Sequence, residues 1–299
     1  MKTTFLFLFI VSTAFAQEAH DVPAYFDWNN YEVELARLGQ NCIRQKTEEQ
    51  RLAAADTFAD LLEKKIYDTE SFSYPFEKVT NLSKLIAPDK SFRIYTWSVP
   101  MRDGSFTFYG RLVLNEQKVL RVVKLTDAAS SLENPENMLL KPEQWYGAIY
   151  YDIIPTKEKG SIYYTLLGYR PNNSTHHEKI LEPLCLENSN KLRFGAKIFN
   201  TPLLNTIKYK RPPYRLILRY SPKSSASVKY IVEEKRIVMD HLAPADVVAK
   251  DDWARYGPDF SYQALFWEDG HWQLEDEITI KGDVAPVAPQ PTQQGLPKK

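Results

Sequence analysis

The chain has 299 residues, and its 38 Lys and Arg residues balance its 38 Asp and Glu residues. Binding to nucleic acid or to an anionic membrane surface depends on clustered Lys and Arg, so this balance argues against both kinds of partner. A chain of this length can bury a large core, in one domain or in two.

Residues 1–16 have the pattern of a secretory signal peptide. Lys2 supplies a positive start, an apolar run follows over residues 5–11, and Ala14-Phe15-Ala16 is a small-x-small cleavage site before Gln17. The apolar run is too short to span a bilayer, and no later stretch approaches the roughly 20 apolar residues that a membrane helix requires. No cysteine follows the cleavage site directly. The sequence therefore predicts a protein that is periplasmic or secreted after cleavage near Ala16-Gln17, without a membrane span or a lipid anchor.

Residues 17–90 are predicted to form an N-terminal helical segment that packs on the main domain. Thr47-Glu48-Glu49-Gln50 matches a capping box, in which a threonine begins a helix and a glutamine three residues later bonds back to it. Apolar residues occur at helical spacing before and after this box: Leu35, Leu38, Cys42, Leu52, Ala55, Ala59, Leu62 and Ile66. The pattern allows one long helix or two helices joined near Lys46.

Residues 91–282 are predicted to form an antiparallel β domain, because the apolar period changes to two and turn signals recur. Strand-like runs flank Asp103-Gly104, residues 157–160 and Glu268-Asp269-Gly270. Consecutive hairpins favour a meander, since parallel strands need long crossovers. Within this region only residues 175–186 are predicted to be a helix. The expected fold class is α+β, mainly an antiparallel β meander (sandwich-like or a curved sheet) with the N-terminal helical segment.

The C-terminal residues differ in composition from the rest of the chain. Residues 283–299 contain four prolines and no apolar period, so this segment is predicted to be disordered.

Cys42 and Cys185 are the only cysteines. In an exported protein they are able to form one disulfide, provided that their Cα atoms lie within about 7 Å of each other. The alternative is two separate buried thiols, because each cysteine lies among apolar residues. Sequence spacing leaves both alternatives open.

The sequence lacks the motifs that mark common catalytic, metal and cofactor sites, such as G-x-S-x-G, H-E-x-x-H and paired C-x-x-C. His176 and His177 are adjacent at the start of the predicted helix, so they point in different directions and make a poor pair of metal ligands. Glu178 follows them as in a zinc helix, but Leu181 stands where the second histidine would be needed. We therefore expect no metal site and no cofactor.

Three carboxylates and one histidine are candidate acid or base groups. Asp251, Asp252 and Asp259 lie in a region rich in aromatic residues, a composition found both in glycosidase clefts and in ordinary surface loops. His241 follows Asp240 at the end of an apolar strand. Neighbours on a strand face opposite sides, which favours a structural role for His241 over an acid-base pair with Asp240.

Five aromatic residues are candidate ligand contacts. Trp145, Tyr150 and Tyr164 belong to one predicted hairpin. Trp253 and Tyr256 lie in the predicted loop that contains Asp251, Asp252 and Asp259, here called the acidic loop. Rings on an open face are able to stack on sugars or clamp an apolar ligand. If both faces of the sheet are covered, the same rings are core residues with their polar atoms satisfied.

Four strings carry a resemblance to a known group of proteins: QWYGAIYYDIIP around Trp145, YYTLLGYRPNN around Gly168, IVMDHLAP at His241 and YGPDFSYQALFW at Tyr256. Together they resemble uncharacterised exported proteins from Bacteroidota, which have about this length, a signal peptide and no assigned activity. The resemblance covers roughly residues 90–280. It implies a Gram-negative envelope and supplies no catalytic or binding residues.

The missing catalytic motifs and the many aromatic residues favour a non-catalytic binding or interaction module, exported to the envelope. Its expected partner is an envelope protein or a glycan. The alternative is an envelope hydrolase that acts on glycans, with two of the carboxylates Asp251, Asp252 and Asp259 as acid and base. Two of these carboxyls facing each other across a pocket would favour the hydrolase.

Overall fold

The computed structural model describes residues 26–116, 119–171, 175–187, 191–205 and 207–278. The predicted signal peptide (residues 1–16) and the predicted disordered segment (residues 283–299) lie outside the described residues. None of the helices in the described ranges is both long and apolar enough to span a membrane.

The helical segment contains two helices, α1 (Trp28–Arg44) and α2 (Glu48–Ile66). The predicted capping box at the start of α2 is confirmed. Thr47 Oγ1 accepts a hydrogen bond from Gln50 N at 3.2 Å, and Gln50 Oε1 accepts one from Thr47 N at 3.4 Å. Gln45 has an extended backbone and ends α1, so the chain adopts the two-helix alternative.

Sixteen strands follow in the described part of the chain. In chain order they are β1 (Ser83–Ile86), β2 (Phe92–Pro100), β3 (Phe106–Glu116), β4 (Val119–Thr126), β5 (Ile149–Glu158), β6 (Ser161–Pro171), β7 (His177–Glu187), β8 (Lys191–Phe194), β9 (Phe199–Asn200), β10 (Leu203–Leu204), β11 (Ile207–Lys208), β12 (Leu216–Tyr220), β13 (Val228–Ile231), β14 (Arg236–Pro244), β15 (Tyr256–Glu268) and β16 (His271–Glu275).

The strands form three sheets and a two-stranded ribbon of β10 and β11. The first sheet has the order β1-β2-β3-β4, and the second has the order β12-β7-β6-β5 with β8 also paired to β7. The third sheet has the order β13-β14-β15-β16-β9. Within these sheets only β16 and β9 pair in parallel. The fold is α+β with mainly antiparallel sheets, as predicted, but β12 and β9 join strands that are distant in sequence.

The elements stack in four layers: helices, first sheet, second sheet and third sheet. An apolar cluster fills the space between each pair of successive layers. On β2, Phe92 and Ile94 face the second sheet, whereas Tyr95 and Trp97 face the helices. The first and second sheets are thus buried on both faces, which requires apolar residues at successive positions of their strands.

The prediction of a helix over residues 175–186 is wrong, because β7 occupies most of this range. Ile180 faces the first sheet and Leu181 faces the third sheet, so both sides of this strand are covered. A strand buried on both faces lacks the alternation of apolar and polar residues that identifies a half-exposed strand. Glu178 and Glu182 lie on one face of β7, and their four-residue spacing imitates a helical period.

No disulfide joins Cys42 to Cys185, and each is a buried thiol. Cys42 lies in the cluster between the helices and the first sheet, with its Sγ atom 3.3 Å from the Leu38 carbonyl oxygen. Cys185 lies on β7 in the second sheet, 3.9 Å from the Gly195 carbonyl oxygen. Burial raises the pKa of the Cys42 thiol to about 12. The structure therefore has the second of the two alternatives that the sequence left open.

Candidate functional site

Trp145 and Tyr150 were predicted either to contact a ligand or to be core residues, and the structure shows that they are core residues. Both side chains are fully buried between the first and second sheets. Trp145 Nε1 donates to the Tyr150 hydroxyl at 2.8 Å, and that hydroxyl in turn donates to Glu182. Burial, followed by the charge of Glu182, raises the pKa of Tyr150 well above its usual value. Neither ring has exposed surface with which to contact a ligand.

Tyr164, the third predicted aromatic contact of this hairpin, is also buried. Its hydroxyl donates to Asp89 Oδ2 at 2.6 Å and lies 2.9 Å from Ser91 Oγ. Its ring is nearly perpendicular to that of Phe92, with the ring centroids 5.0 Å apart. Tyr164 therefore ties the start of β2 to β6.

The most concentrated group of charges in the described residues lies at one end of the second sheet. It consists of five side chains, here called the Glu178 cluster: Asp127, Glu136, Arg170, Glu178 and Arg219. Glu178 is 1 % exposed, whereas Glu136 and Arg219 are 14 % and 17 % exposed. The cluster thus runs from the interior to an accessible rim.

Strand register brings the central charges together. Glu178 on β7 lies directly opposite Arg219 on β12 and directly opposite Arg170 on β6. Arg219 Nε donates to Glu178 Oε1 at 3.2 Å and its Nη1 donates to Glu136 Oε1 at 2.7 Å. Arg170 Nε lies 3.8 Å from Glu178 Oε2, and Arg170 Nη1 lies 3.4 Å from Asp127 Oδ1. Opposite charges at facing positions stabilise a strand pair, and here they do so on three neighbouring strands.

The charges of the cluster keep Glu178 ionised despite its burial. Burial alone raises the pKa of Glu178, but the hydrogen bond with His176 and the charges of Arg219 and Arg170 outweigh it, so the pKa is lowered. Asp127 behaves differently: burial raises its pKa, and the charge of Arg170 opposes this shift without cancelling it.

Two aromatic side chains, Tyr146 and Trp253, contact the Glu178 cluster, and a third, Tyr209, has a pKa that is raised by burial and then by the charge of Glu136. The Tyr146 hydroxyl donates to Glu178 at 3.1 Å. Trp253, a predicted ligand contact, is half-buried and lies over Arg219, with its ring centroid 5.9 Å from Arg219 Cζ. The Tyr209 hydroxyl is buried and has no hydrogen-bond partner among the described residues. The cluster is therefore the place where predicted and unpredicted candidate residues meet.

Tyr256, the other predicted contact of the acidic loop, is a core residue. It is almost fully buried, and the centroid of its ring lies 4.6 Å from the ring centroid of Trp253. The Asp251 N–H donates to the Tyr256 hydroxyl at 3.2 Å. Tyr256 thus holds the loop in place behind Trp253.

Asp251 and Asp252 are exposed residues of this loop. Asp252 caps the short helical turn Trp253–Arg255, accepting a hydrogen bond from Ala254 N at 3.3 Å. Asp251 has a left-handed backbone with φ of 69°. A carboxylate that caps a turn is an ordinary feature of a surface loop.

The structure brings together two predicted residues, His241 and Asp259, at an irregularity between β14 and β15. Their Nδ1 and Oδ2 atoms are 2.7 Å apart. Asp259 Oδ1 also accepts bonds from the amide and hydroxyl of Ser261, at 3.1 and 2.7 Å. Asp240 instead accepts a bond from Ser227 N at 2.7 Å, as expected for a strand neighbour that faces the other way. The His241–Asp259 pair fixes the bend of β15 at the surface.

The three most exposed large apolar side chains of the described residues lie in the β14–β15 connection and in β15. Val247, Val248 and Phe260, here called the apolar trio, are 93 %, 87 % and 92 % exposed. Val247 and Val248 lie in the connection between β14 and β15, and Phe260 lies in the bend of β15 beside Asp259. Phe260 has a left-handed backbone with φ of 70°, which is a conformational outlier for a bulky residue.

Sequence reasoning missed the Glu178 cluster because its signal depends on strand pairing. The cluster combines residues from separate parts of the sequence, such as Arg170, Glu178 and Arg219. Taken alone, each of these residues resembles an ordinary surface charge. Only the register of β6, β7 and β12 places them side by side. The sequence does contain one indication of the cluster, the pair of glutamates at positions 178 and 182. Their four-residue spacing was interpreted as part of the predicted helix.

Comparison of the chain with protein-family models, with curated proteins and with solved structures finds no match. The candidate site is therefore interpreted from its own geometry.

Proposed function

We propose that this chain is an exported, non-catalytic interaction module of a Gram-negative envelope, and that it binds another envelope protein through the apolar trio. The observation that carries the proposal is the near-complete exposure of Val247, Val248 and Phe260. Apolar and aromatic side chains that protrude into water from an ordered surface are characteristic of interaction sites.

The backbone at Phe260 supports a contact role. A left-handed conformation costs a bulky residue about 1–3 kcal/mol, and such strain is concentrated at functional positions. The Asp259–Ser261 and Asp259–His241 hydrogen bonds hold this bend. Phe260 gains no burial in return, because its side chain is 92 % exposed. A partner that covers the ring would supply that burial.

The charges near the apolar trio indicate the chemistry of the partner. Acidic residues of the loop and bend outnumber basic ones: Asp246, Asp251, Asp252 and Asp259 against Lys250 and Arg255. Arg255 is already paired with Asp246. This excess of negative charge favours an apolar pocket with a basic rim on a protein and disfavours an anionic lipid surface.

The alternative function, a glycan hydrolase, has less support. It needs one carboxyl as acid and a second as base or nucleophile on the opposite side of the scissile bond. Asp252 is engaged in its own turn, and Asp259 is engaged with Ser261 and His241. These contacts give both carboxylates structural roles.

A pull-down from envelope extracts of the source organism tests the proposed function. The V247S/V248S/F260S variant should lose a partner that the unchanged chain retains, because its contact residues are no longer apolar. A matched control, V119S/V232S, removes two other exposed valines and should retain the partner. Equal capture by the unchanged chain and by the trio variant would contradict the proposal.

A further inference from the structure

We propose that residues 279–282, the segment that follows Ile278, dock along the bend of β15, with Ile280 against the ring of Phe260 and Lys281 beside Asp259. This segment lies outside the described residues, so the occupant of the docking site is a part of the same chain. The inference concerns an intramolecular contact and does not depend on the envelope partner proposed above.

The end of the described chain lies on β15, close to Phe260. β16 ends at Glu275, but the Ile278 N–H donates to the Tyr262 carbonyl oxygen at 3.0 Å. Between them Glu277 has a left-handed backbone with φ of 53°, so the chain turns locally and then bonds to β15 again. Because β15 and β16 are antiparallel, the residues that follow Ile278 continue towards Phe260.

Strand spacing brings Ile280 level with Phe260. Phe260 lies two residues before Tyr262, and Ile280 lies two residues after Ile278. Two extended residues span about 7 Å on either strand, and side chains two positions apart are on the same face. Continuation of the Ile278–Tyr262 pairing therefore places Ile280 opposite Phe260.

The bend of β15 is open to such a segment. β16 pairs with β15 only between Ala264 and Glu268. On the other edge, β14 pairs with Pro258 and with Tyr262 but with none of the three residues between them. None of the described strands thus pairs with residues 259–261, and a bulged strand of this kind has a locally disrupted ladder.

The side chains of the segment suit the bend. Ile280 would cover a phenylalanine ring that is 92 % exposed, and pairs of a β-branched and an aromatic residue stabilise neighbouring strands. Lys281 comes opposite Asp259, which gives two opposite charges at facing positions.

The wider charges agree with this placement. Acidic residues exceed basic ones by two in residues 244–261. Residues 279–299 contain Lys281, Lys298 and Lys299 against Asp283, a net charge of +2. The C-terminal segment is therefore attracted to the loop and bend.

The contact is one that opens readily. Ordering the backbone of four residues offsets most of what the burial of one exposed ring contributes. An envelope protein that binds at Phe260 would therefore displace the segment.

Methyl NMR spectra of the full chain with labelled isoleucine test the docking. The Ile280 signal is identified by its absence from the spectrum of Ile280→Val. It should lie upfield of the position of an isoleucine in an unfolded chain, because the face of the Phe260 ring shields it. Phe260→Leu should return the signal to the unfolded position. Tyr67→Leu, which removes another exposed aromatic ring, should leave the signal unchanged.

A charge variant tests the register of the segment. Lys281→Glu places a second negative charge opposite Asp259 and should move the Ile280 signal towards the unfolded position. Lys298→Glu, the matched control in the same segment, should have a smaller effect.

An Ile280 signal at the unfolded position in the unchanged chain, or a shifted signal that Phe260→Leu leaves in place, would overturn the proposal. Equal effects of Lys281→Glu and Lys298→Glu would overturn the placement of Lys281. These spectra involve no partner, so their outcome and that of the pull-down through the apolar trio are independent.

Discussion

Arg215 and Glu182 form an ion pair in the centre of the molecule: Arg215 Nε donates to Glu182 Oε1 at 2.7 Å, and both side chains are completely buried. Arg215 also donates to the carbonyl oxygens of Pro135, Met138 and Phe194. Glu182 accepts from the Tyr150 hydroxyl as well. Burial of two charges is expensive, and it is tolerated when further hydrogen bonds satisfy their remaining donors and acceptors.

Removal of the negative charge should therefore destabilise the fold. Glu182→Gln leaves the guanidinium of Arg215 buried without a counter-charge, and we expect a loss of about 3–5 kcal/mol in the free energy of unfolding. Denaturant titration measures this loss. The control is Glu34→Gln, which breaks the exposed Arg37–Glu34 pair and should change stability by less than about 0.5 kcal/mol. Similar small losses in both variants would contradict the interpretation.

Lys179 should make stability depend on pH in an identifiable window. It is buried between the second and third sheets, near the rings of Tyr151 and Tyr169. Burial lowers its pKa from 10.5 to about 8, and Asp240 opposes the shift only in part. Between these two pH values the unfolded chain binds more protons than the folded chain. The contribution of Lys179 to stability therefore rises with pH across this window.

Lys179→Met tests this linkage because methionine keeps much of the packing and cannot be charged. The variant should be more stable than the unchanged protein near neutral pH by about 3 kcal/mol, on the scale of 1.36 kcal/mol for each pKa unit. This difference in the free energy of unfolding between the two proteins should decrease steadily as the pH rises towards about 10. Parallel stability curves for the two proteins would show that Lys179 keeps its ordinary pKa.

Phe260 should be a strained residue whose removal stabilises the isolated protein. Phe260→Gly accommodates the left-handed backbone at a residue that makes little use of its side chain, so the free energy of unfolding should rise by about 1 kcal/mol. Val119→Gly is the control: Val119 is also exposed, but it begins β4 and is not among the residues with positive φ. That variant should lose about 0.5–1 kcal/mol. A loss of stability in Phe260→Gly would contradict the assignment of strain.

The start of α2 should depend on its capping threonine. Thr47→Ala removes the acceptor for Gln50 N and should cost about 1 kcal/mol. Thr57 is an exposed threonine within the same helix, where its hydroxyl donates to the Ala53 carbonyl oxygen. Thr57→Ala should be neutral or slightly stabilising, because alanine has the higher helix propensity. Thermal unfolding of the two variants separates the capping contribution from general helix propensity.

Local chemistry predicted much of the fold. The capping box gave the start of α2, and tight-turn residues gave hairpins such as β2–β3 and β15–β16. These features depend on neighbouring residues only. The stacking of the three sheets depends instead on contacts between residues that are distant in sequence, because the apolar face of one sheet covers that of the next. The prediction of β7 failed for that reason, since covering both of its faces removes the alternation that identifies a strand.

The candidate site was less predictable than the fold. Trp145 and Tyr150 have the composition of a sugar platform, yet their burial depends on the first sheet, which covers them. Conversely, Arg170 and Arg219 acquire their role only when the strand register places them beside Glu178. The pairing of His241 with Asp259 depends on the bend of β15, which no local pattern specifies.

Site-specific photo-cross-linking at position 260 tests the proposed interaction most directly. A photoreactive phenylalanine analogue in place of Phe260, in cells that express the chain, should give one discrete adduct with an envelope protein. The same analogue at Val119, which is also exposed, should not give that adduct. The absence of an adduct from position 260, or the same adduct from both positions, would contradict an interaction through the apolar trio.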